Sequence, residues 1–291
     1  MKDFSYAAAG SVDEAVSLLA ASGAGARALA GGTDMIVQLR EGTREADLVV
    51  DVKKIPELMR LEYDRARGLR LGAAVPCYKI YEHAEIRDDY AGLADAAHII
   101  GGRQIQSRAS IGGNLCNASP AADSIPALIA YRAVCHIAGP GGTRSLPVHE
   151  FCKAPGRNRL ERGELLVSLE LPPQPQHAGG AYLRFIPRNE MDIAVVGVGA
   201  WVRLDGSGKQ IEDARIALGA VAPTPLLAEQ ASRSLVGQAA TTENFPRAGE
   251  LAKTIASPIS DRRGSAEYRD HLIGVLVERT LAIAVERARK S

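Results

Sequence analysis

Apolar residues near the start of the chain fall into a helical period. Val12, Ala15, Val16 and Leu19 recur at spacings of three and four, which marks a helix with one buried face. Ser11 stands three residues before Glu14, the spacing of a reciprocal cap at a helix start. Arg27–Ala30 reads as a short buried strand that ends at Gly31-Gly32. Thr33 or Asp34 is then placed to cap a helix over Met35–Arg40. Leu48–Val52 is a second short strand. This opening stretch therefore predicts a βαβ-type unit with a glycine turn between strand and helix.

The pattern changes near Ile55-Pro56. Gly68–Ala74 reads as a strand, and Tyr78–Glu85 and Tyr90–Ile99 as helical stretches. A loop is expected over Gly101–Asn114, carrying Arg103, Arg108 and a second glycine pair. A helix over Asp123–Ala130 follows, then strands over Ala133–Ala138 and Glu164–Leu171. Gly139-Pro140-Gly141-Gly142 signals a hairpin. Pro172–Gly180 is the best linker. Beyond it come strands near Tyr182–Phe185 and over Ile193–Leu204. The turn Asp205-Gly206-Ser207-Gly208 leads into Ile211–Ala220. The remainder reads as helical and ends in Glu267–Lys290, with Leu272, Val275, Leu276 and Ile283 on an apolar face. An antiparallel meander with helices behind it predicts a separate C-terminal α+β unit.

Composition narrows the function classes. The 291 residues are 46% hydrophobic and 24% charged, which fits about two ordinary globular domains and excludes low-complexity disorder. Lys plus Arg number 35 against 34 Asp plus Glu, a net charge of +1. That balance lacks the footprint of a nucleic-acid binder. The cysteines, Cys77, Cys116, Cys135 and Cys152, form no CxxC pair, so zinc-ribbon and thioredoxin chemistry are disfavoured. Their scatter suits a reducing cytoplasm. Small buried apolar side chains are the expected role, with Cys116 singled out because it lies two residues past a glycine loop. Asp13 and Glu14 interrupt any signal-peptide core, and no run reaches the length of a membrane span. No metal site is expected. His98, His136, His149 and His271 are scattered without metal spacing. Arg103 and Arg108 are expected to face solvent or a partner, and Asp192 to be structural, tied to Arg188.

Candidate chemistry concentrates in two glycine pairs, Ala30-Gly31-Gly32-Thr33-Asp34 and Ser110-Ile111-Gly112-Gly113-Asn114. Each presents bare backbone N–H groups beside small polar side chains. Such a turn can cradle an anion, and a following helix adds its positive end. A diphosphate needs fixed donors and room free of Cβ atoms, but no lysine. Both pairs can equally be turns that the chain path alone requires, and at this point the two readings stand side by side. Neither GxGxxG nor GxxxxGK[ST] occurs in a strand-to-helix setting, so Rossmann and P-loop sites are disfavoured. No GxSxG elbow suggests an α/β-hydrolase.

Together with Arg188-Asn189-Glu190-Met191-Asp192-Ile193-Ala194-Val195 and the segment Ala217–Pro225, these loops resemble the FAD-binding medium subunit of molybdenum hydroxylases. That family includes the carbon monoxide dehydrogenase medium subunit and the flavin domain of xanthine dehydrogenase. The resemblance covers nearly the whole chain. It implies an α+β architecture: a two-subdomain FAD-binding fold of the vanillyl-alcohol-oxidase type, residues 1–54 and 55–177, followed by a C-terminal α+β domain with an antiparallel sheet and helices, residues 178–291.

Carried over by residue, the resemblance implies that Ala30, Gly31, Gly32, Thr33 and Asp34 wrap the FAD diphosphate together with Ser110, Ile111, Gly112, Gly113 and Asn114. Asp123 matches an acidic residue near the adenosine ribose, and Leu166 an apolar residue beside the flavin or adenine. Arg184 matches a position often held by Lys near the cofactor, although the two cations differ in reach and geometry. One branch of the family carries an iron–sulfur cluster on a cysteine-rich insertion. No such insertion is visible, so no cluster is expected in this chain.

The implied function is electron transfer. Substrate is hydroxylated on a large molybdenum-cofactor subunit, and electrons pass through a small [2Fe–2S] subunit to FAD here. From the flavin they go on to an external acceptor. No catalytic acid or base is then expected in this chain. A self-contained FAD-dependent oxidoreductase on the same fold and a flavin-free scaffold are the rival expectations.

Overall fold

At Ser11 the expected cap forms. Its side chain accepts the Glu14 N–H at 3.2 Å, and Glu14 Oε2 accepts the Gly10 N–H at 2.7 Å. These contacts come from a computed structural model, which describes residues 2–188 and 190–291. Asn189 of the Arg188–Val195 motif therefore lies outside the described residues. The capped helix α1 (Val12–Ala21) buries Ala15, Val16 and Leu19. It follows β1 (Ser5–Ala8) and precedes β2 (Ala26–Leu29), α2 (Met35–Glu41) and β3 (Leu48–Asp51). The three strands form a parallel sheet in the order β1-β3-β2. The βαβ-type unit is thus present, with one strand more than the sequence suggested. Four residues of β1 are too few to show a period.

The central part is built on a five-stranded antiparallel sheet. In chain order it comprises α3 (Pro56–Met59), β4 (Leu61–Asp64), β5 (Gly68–Gly72), α4 (Cys77–Glu82), α5 (Ala84–Asp89), α6 (Ala91–Ile99), α7 (Arg103–Gln106), α8 (Ile111–Asn117), α9 (Ser124–Ala130), β6 (Val134–Gly139), β7 (Gly142–Pro147), α10 (Val148–Phe151), β8 (Cys152–Ala154), β9 (Arg157–Asn158) and β10 (Leu165–Leu171). The sheet order is β4-β5-β10-β6-β7, and β8 and β9 make a separate small hairpin. Leu69, Leu71, Leu169 and Leu171 from neighbouring strands meet Tyr90, Leu93 and Leu128 from the helices in one fully buried core.

Two readings of this region are corrected. The stretch expected as one helix over Tyr78–Glu85 breaks at His83, whose ψ of 116° is extended. The segment expected as a loop, Gly101–Asn114, folds into α7 and the start of α8. The reason is Ser110, which caps α8 by accepting the Gly113 N–H at 3.1 Å. Gly112 and Gly113 consequently sit inside the first helical turn and not in a bend ahead of it.

The C-terminal part contains β11 (Ala178–Phe185), β12 (Val196–Leu204), β13 (Ile211–Gly219), β14 (Leu226–Leu227), α11 (Glu229–Arg233), α12 (Phe245–Lys253) and α13 (Ala266–Ala288). Its strands form an antiparallel meander in sequence order. The expected linker is shorter than its composition suggested, since Ala178, Gly179 and Gly180 already pair with Arg203, Val202 and Trp201. Strand β12 starts at Val196, later than expected, and leaves Ile193 half exposed. The apolar face of α13 is also rotated from the expected one. Leu272 and Leu276 are buried with Ile273, Val277, Leu281, Ala284 and Val285, while Val275 and Ile283 sit at the rim.

The meander is clamped onto the central helices by side chains. Arg287 of α13 makes a forked pair with Asp95 of α6, at 2.6 and 3.0 Å, and also donates to Gly180 O. Arg132 pairs with Asp213 at 2.7 Å, and Arg215 Nε donates to Ile129 O at 3.1 Å. Forked, partly shielded arginine–carboxylate pairs of this kind are stronger than exposed ones. Among the described residues no helix is long and apolar enough to cross a membrane.

Candidate functional site

Between β2 and α2 the chain turns through Ala30–Asp34, and the two glycines there do different work. Gly32 has φ +74°, the left-handed region that favours glycine. Gly31 is a close-approach position, because a Cβ there would lie 2.1 Å from Arg108 O. The first glycine bend therefore rests directly on the main chain just before the second. Arg108 Nε donates to Gly31 O at 3.3 Å, and Lys53 Nζ donates to Ala30 O at 3.1 Å. Arg108 is otherwise exposed, which fits the expectation that it faces solvent or a partner. The N–H groups of Gly31, Gly32, Thr33 and Asp34 donate to no acceptor among the described residues.

At α8 the glycines again divide the labour. A Cβ on Gly112 would meet Ala73 O at 2.4 Å, so its absence lets the helix press against the strand end. A Cβ on Gly113 would meet only Ser110 Oγ, at 3.0 Å, so packing alone does not demand a glycine there. The Gly112 N–H, in the first turn of α8, has no acceptor among the described residues. Asn114 Oδ1 accepts the Ser124 hydroxyl at 2.6 Å. Asn117 joins the two helices, donating to Asp34 Oδ2 at 3.4 Å and accepting from Gln38 Nε2 at 3.3 Å.

Both bends open onto one cavity of about 490 Å³, within the range of cofactor sites of about 300–1,000 Å³. Ala30, Gly32, Thr33 and Asp34 line it from one side, Ser110, Gly112, Gly113 and Asn114 from the other, and Leu166 of β10 adds apolar wall. Gly31 and Ile111 lie behind that wall. Gly31 is pressed on Arg108, and Ile111 is fully buried in the core. Solvent reaches Asp34 through the cleft, yet the surrounding walls raise its carboxyl above the usual range.

Asp123 and Arg184 are brought together elsewhere. Arg184 Nη1 donates to Asp123 Oδ2 at 2.7 Å, and the Tyr182 hydroxyl donates to Oδ1 at 2.8 Å. Both members of the pair are buried. Burial pushes the Asp123 carboxyl up to about 6, against the pull of Arg184 and Tyr182. The pair does not line the cavity, but Ser124, its chain neighbour, reaches the loop through Asn114. Asp192 pairs with Arg188 at 3.3 Å.

The cavity has walls that the sequence did not single out. Arg27 of β2, Arg44, Asn158 of β9, Leu160 and Arg162 all line it. The one available signal was alternation in β2, which turns Arg27 away from buried Ala26; nothing marked the others. Cys116 also lines the cavity, and burial holds its thiol up at about 12, a neutral and unreactive state. The donor set fits a diphosphate-bearing group. It combines main-chain N–H groups without acceptors among the described residues, glycines that add no Cβ to the wall, and the cations Arg27, Arg44 and Arg162.

Comparison with known proteins gives the same direction. A family model described as the FAD binding domain in molybdopterin dehydrogenase matches residues 2–174. A second, the CO dehydrogenase flavoprotein C-terminal domain, matches residues 181–284. The chain is 33% identical over 290 residues to the xanthine dehydrogenase FAD-binding subunit of Escherichia coli O157:H7, covering 99% of this chain and 98% of that one. It is 32% identical over 284 residues to the carbon monoxide dehydrogenase medium chain of Hydrogenophaga pseudoflava, covering 98% of each. Its structure superposes on a chain of the Cu,Mo-CO dehydrogenase with a TM-score of 0.92 and 30% identity, over 98% of each chain. A chain of the carbon monoxide dehydrogenase from Hydrogenophaga pseudoflava gives 0.93 and 31%, again over 98% of each. The architecture is thus an FAD-binding domain followed by a C-terminal domain with an antiparallel sheet, FAD is the cofactor, and the chain belongs to the FAD-binding subunits of the molybdenum hydroxylases, an oxidoreductase family.

Proposed function

We propose that this chain is the flavin relay of a multi-subunit hydroxylase, taking electrons from iron–sulfur clusters of a small partner and passing them to an external acceptor. A large partner with the molybdenum cofactor carries out the hydroxylation. When bound, the flavin supplies redox chemistry that joins single-electron donors to an external acceptor. The chain's own residues bind and orient it. In this reading the unpartnered N–H groups along Ala30–Asp34 and that of Gly112 hold the diphosphate, and Leu166 excludes water from one side of the cofactor. Asp123 and Arg184 act as one unit, since the arginine charge is largely offset by the carboxylate beside it. Their contribution is to order the cofactor end of the C-terminal domain. Residues 1–54 and 55–177 form the two halves of the cofactor cleft, and residues 178–291 the C-terminal domain.

The observation that carries the reading is the seating of the first glycine bend, through Gly31, on the main chain at Arg108 that leads into the capped start of α8, with both segments lining a single cavity. Turns needed only by the chain path have no reason to meet there with their N–H groups unpartnered.

The test is purification from native cells through a tag on this chain, followed by a visible spectrum and metal analysis. A flavin spectrum, a larger molybdenum-containing subunit and a smaller iron–sulfur subunit are expected together. A flavin-loaded chain that turns over a reduced nicotinamide without partners would replace the relay with a self-contained oxidoreductase. Colourless protein that takes up no FAD would leave only a scaffold.

A further inference from the structure

The cavity shares Arg27, Arg44, Cys116 and Asn158 with a second concavity of about 500 Å³, completed by the hairpin that bears Lys153 and Arg157. Charge in the two spaces is distributed unequally. The first is mixed, with Asp34, Glu161 and Glu164 facing Arg27, Arg44 and Arg162. The second has four cations, Arg27, Arg44, Lys153 and Arg157, and no carboxylate. None of the four is in an ion pair among the described residues. Of the acids nearby, Glu45 pairs with Lys2 and Glu164 with Arg144, and Asp34 and Glu161 line the first space without an ion pair among the described residues.

Two of these cations, Arg27 and Arg44, are held in place without being neutralised. Arg27 Nη1 donates to Ala24 O and Ala26 O, at 2.8 and 3.0 Å, and Arg44 Nη2 to Gly156 O at 3.2 Å. All three acceptors are uncharged carbonyls. Arg27 Nε is buried without any acceptor among the described residues, and the side chain lines the wall common to both spaces. Gly156, at φ +69°, turns the hairpin tip, and its N–H is tied to Ala118 O at 3.0 Å. Lys153 and Arg157 thus stand exposed on an anchored hairpin at the edge of the concavity.

We propose that Arg27, Arg44, Lys153 and Arg157 form an electrostatic entrance that captures the diphosphate of incoming FAD and delivers it to the glycine bends. The inference rests on the reading that those bends hold the diphosphate. Like charges gathered without counter-charges repel one another and give the fold nothing in return, but they attract a polyanion. The whole chain carries only +1, so any attraction must be local. Salt screens charges over about 8 Å at physiological ionic strength, so the field acts on the last approach to the cleft. Concave sites lined by one sign of charge raise association rates by about 10- to 1,000-fold. Exposed Lys153 and Arg157 are expected to affect the rate of capture more than the final hold.

The test is stopped-flow association of FAD with the flavin-free full-length chain, followed by flavin fluorescence, at low and high salt. Riboflavin, which has no phosphate, is the control probe. For the wild type the FAD rate should fall steeply with salt while the riboflavin rate does not. Lys153→Gln/Arg157→Gln should slow FAD association about tenfold at low salt. It should match the wild type at high salt and leave the dissociation rate and the riboflavin rate unchanged. An unchanged FAD association rate, faster dissociation alone, or equal slowing of FAD and riboflavin would each overturn the entrance. Failure of the wild-type chain to take up FAD at all is a different result, and it would count against the flavin placement itself.

Discussion

Gly112 and Gly113 are adjacent and identical, yet the fold uses them for different ends. Gly112 is required by packing, because the carbonyl of Ala73 occupies the place of its Cβ. Gly112→Ala should therefore destabilise the protein by about 1–3 kcal/mol, as overpacking does. Urea denaturation of the flavin-free chain will read this loss, and an unchanged midpoint would refute the contact. A Cβ on Gly113 would meet only the Ser110 hydroxyl oxygen, at 3.0 Å, so packing makes a milder demand of it. From the sequence both appeared as one motif, and the choice between chain path and ligand was open. The structure separates them in packing: a Cβ on Gly112 would collide with main chain, and one on Gly113 would meet only a side-chain oxygen. Asp123 and Arg184 show the opposite limit. The resemblance assigned each a place near the cofactor, but no pattern in the sequence shows that they bond to each other.

Elements were most legible where a local signal sets them. The cap at Ser11, the hairpin at Gly139–Gly142 and the apolar period of α13 all lie within a few residues of the structure they cause. The central glycine stretch was less legible, since Ser110 converts an apparent loop into a helix start by a single side-chain bond. The short β8–β9 hairpin and the turn before β10 carried no period at all, although they wall the cavity. That turn is fixed by Arg144 of β7, whose Nε and Nη2 donate to Glu164 at 2.6 and 2.7 Å. Glu164 also accepts the Glu161 N–H. These donors hold the Glu164 carboxyl below its usual range, Arg144 most strongly. A depressed carboxyl stabilises the fold above the unfolded value, about 4.3, and that contribution is lost as pH falls through the lower folded value. Arg144→Gln should cost about 1–2 kcal/mol near pH 7, discounted for the part-exposed arginine. The difference from the wild type should shrink below about pH 4. Urea midpoints across pH 3–7 check this, and a gap independent of pH would show that the pair is not its source.

In the molecule as a whole, one cleft gathers what the chain scatters over more than a hundred residues. The parallel sheet supplies the first bend and the central helices the second, while the C-terminal meander is clamped on through Asp95–Arg287 and Arg132–Asp213. A balanced net charge with a local basic concavity suits a protein that must attract a dinucleotide without attracting polyanions in general. The central claim is that both glycine bends grip the FAD diphosphate through main-chain N–H groups. It is tested most directly by fluorescence titration of the flavin-free wild type and Gly113→Val with FAD and with riboflavin, alongside circular dichroism. The account expects both proteins to be folded. The wild type should prefer FAD over riboflavin by at least about 100-fold, since the preference rests on several charge-assisted hydrogen bonds, and Gly113→Val should bind the two alike. A folded Gly113→Val protein that binds FAD as tightly as the wild type would contradict it.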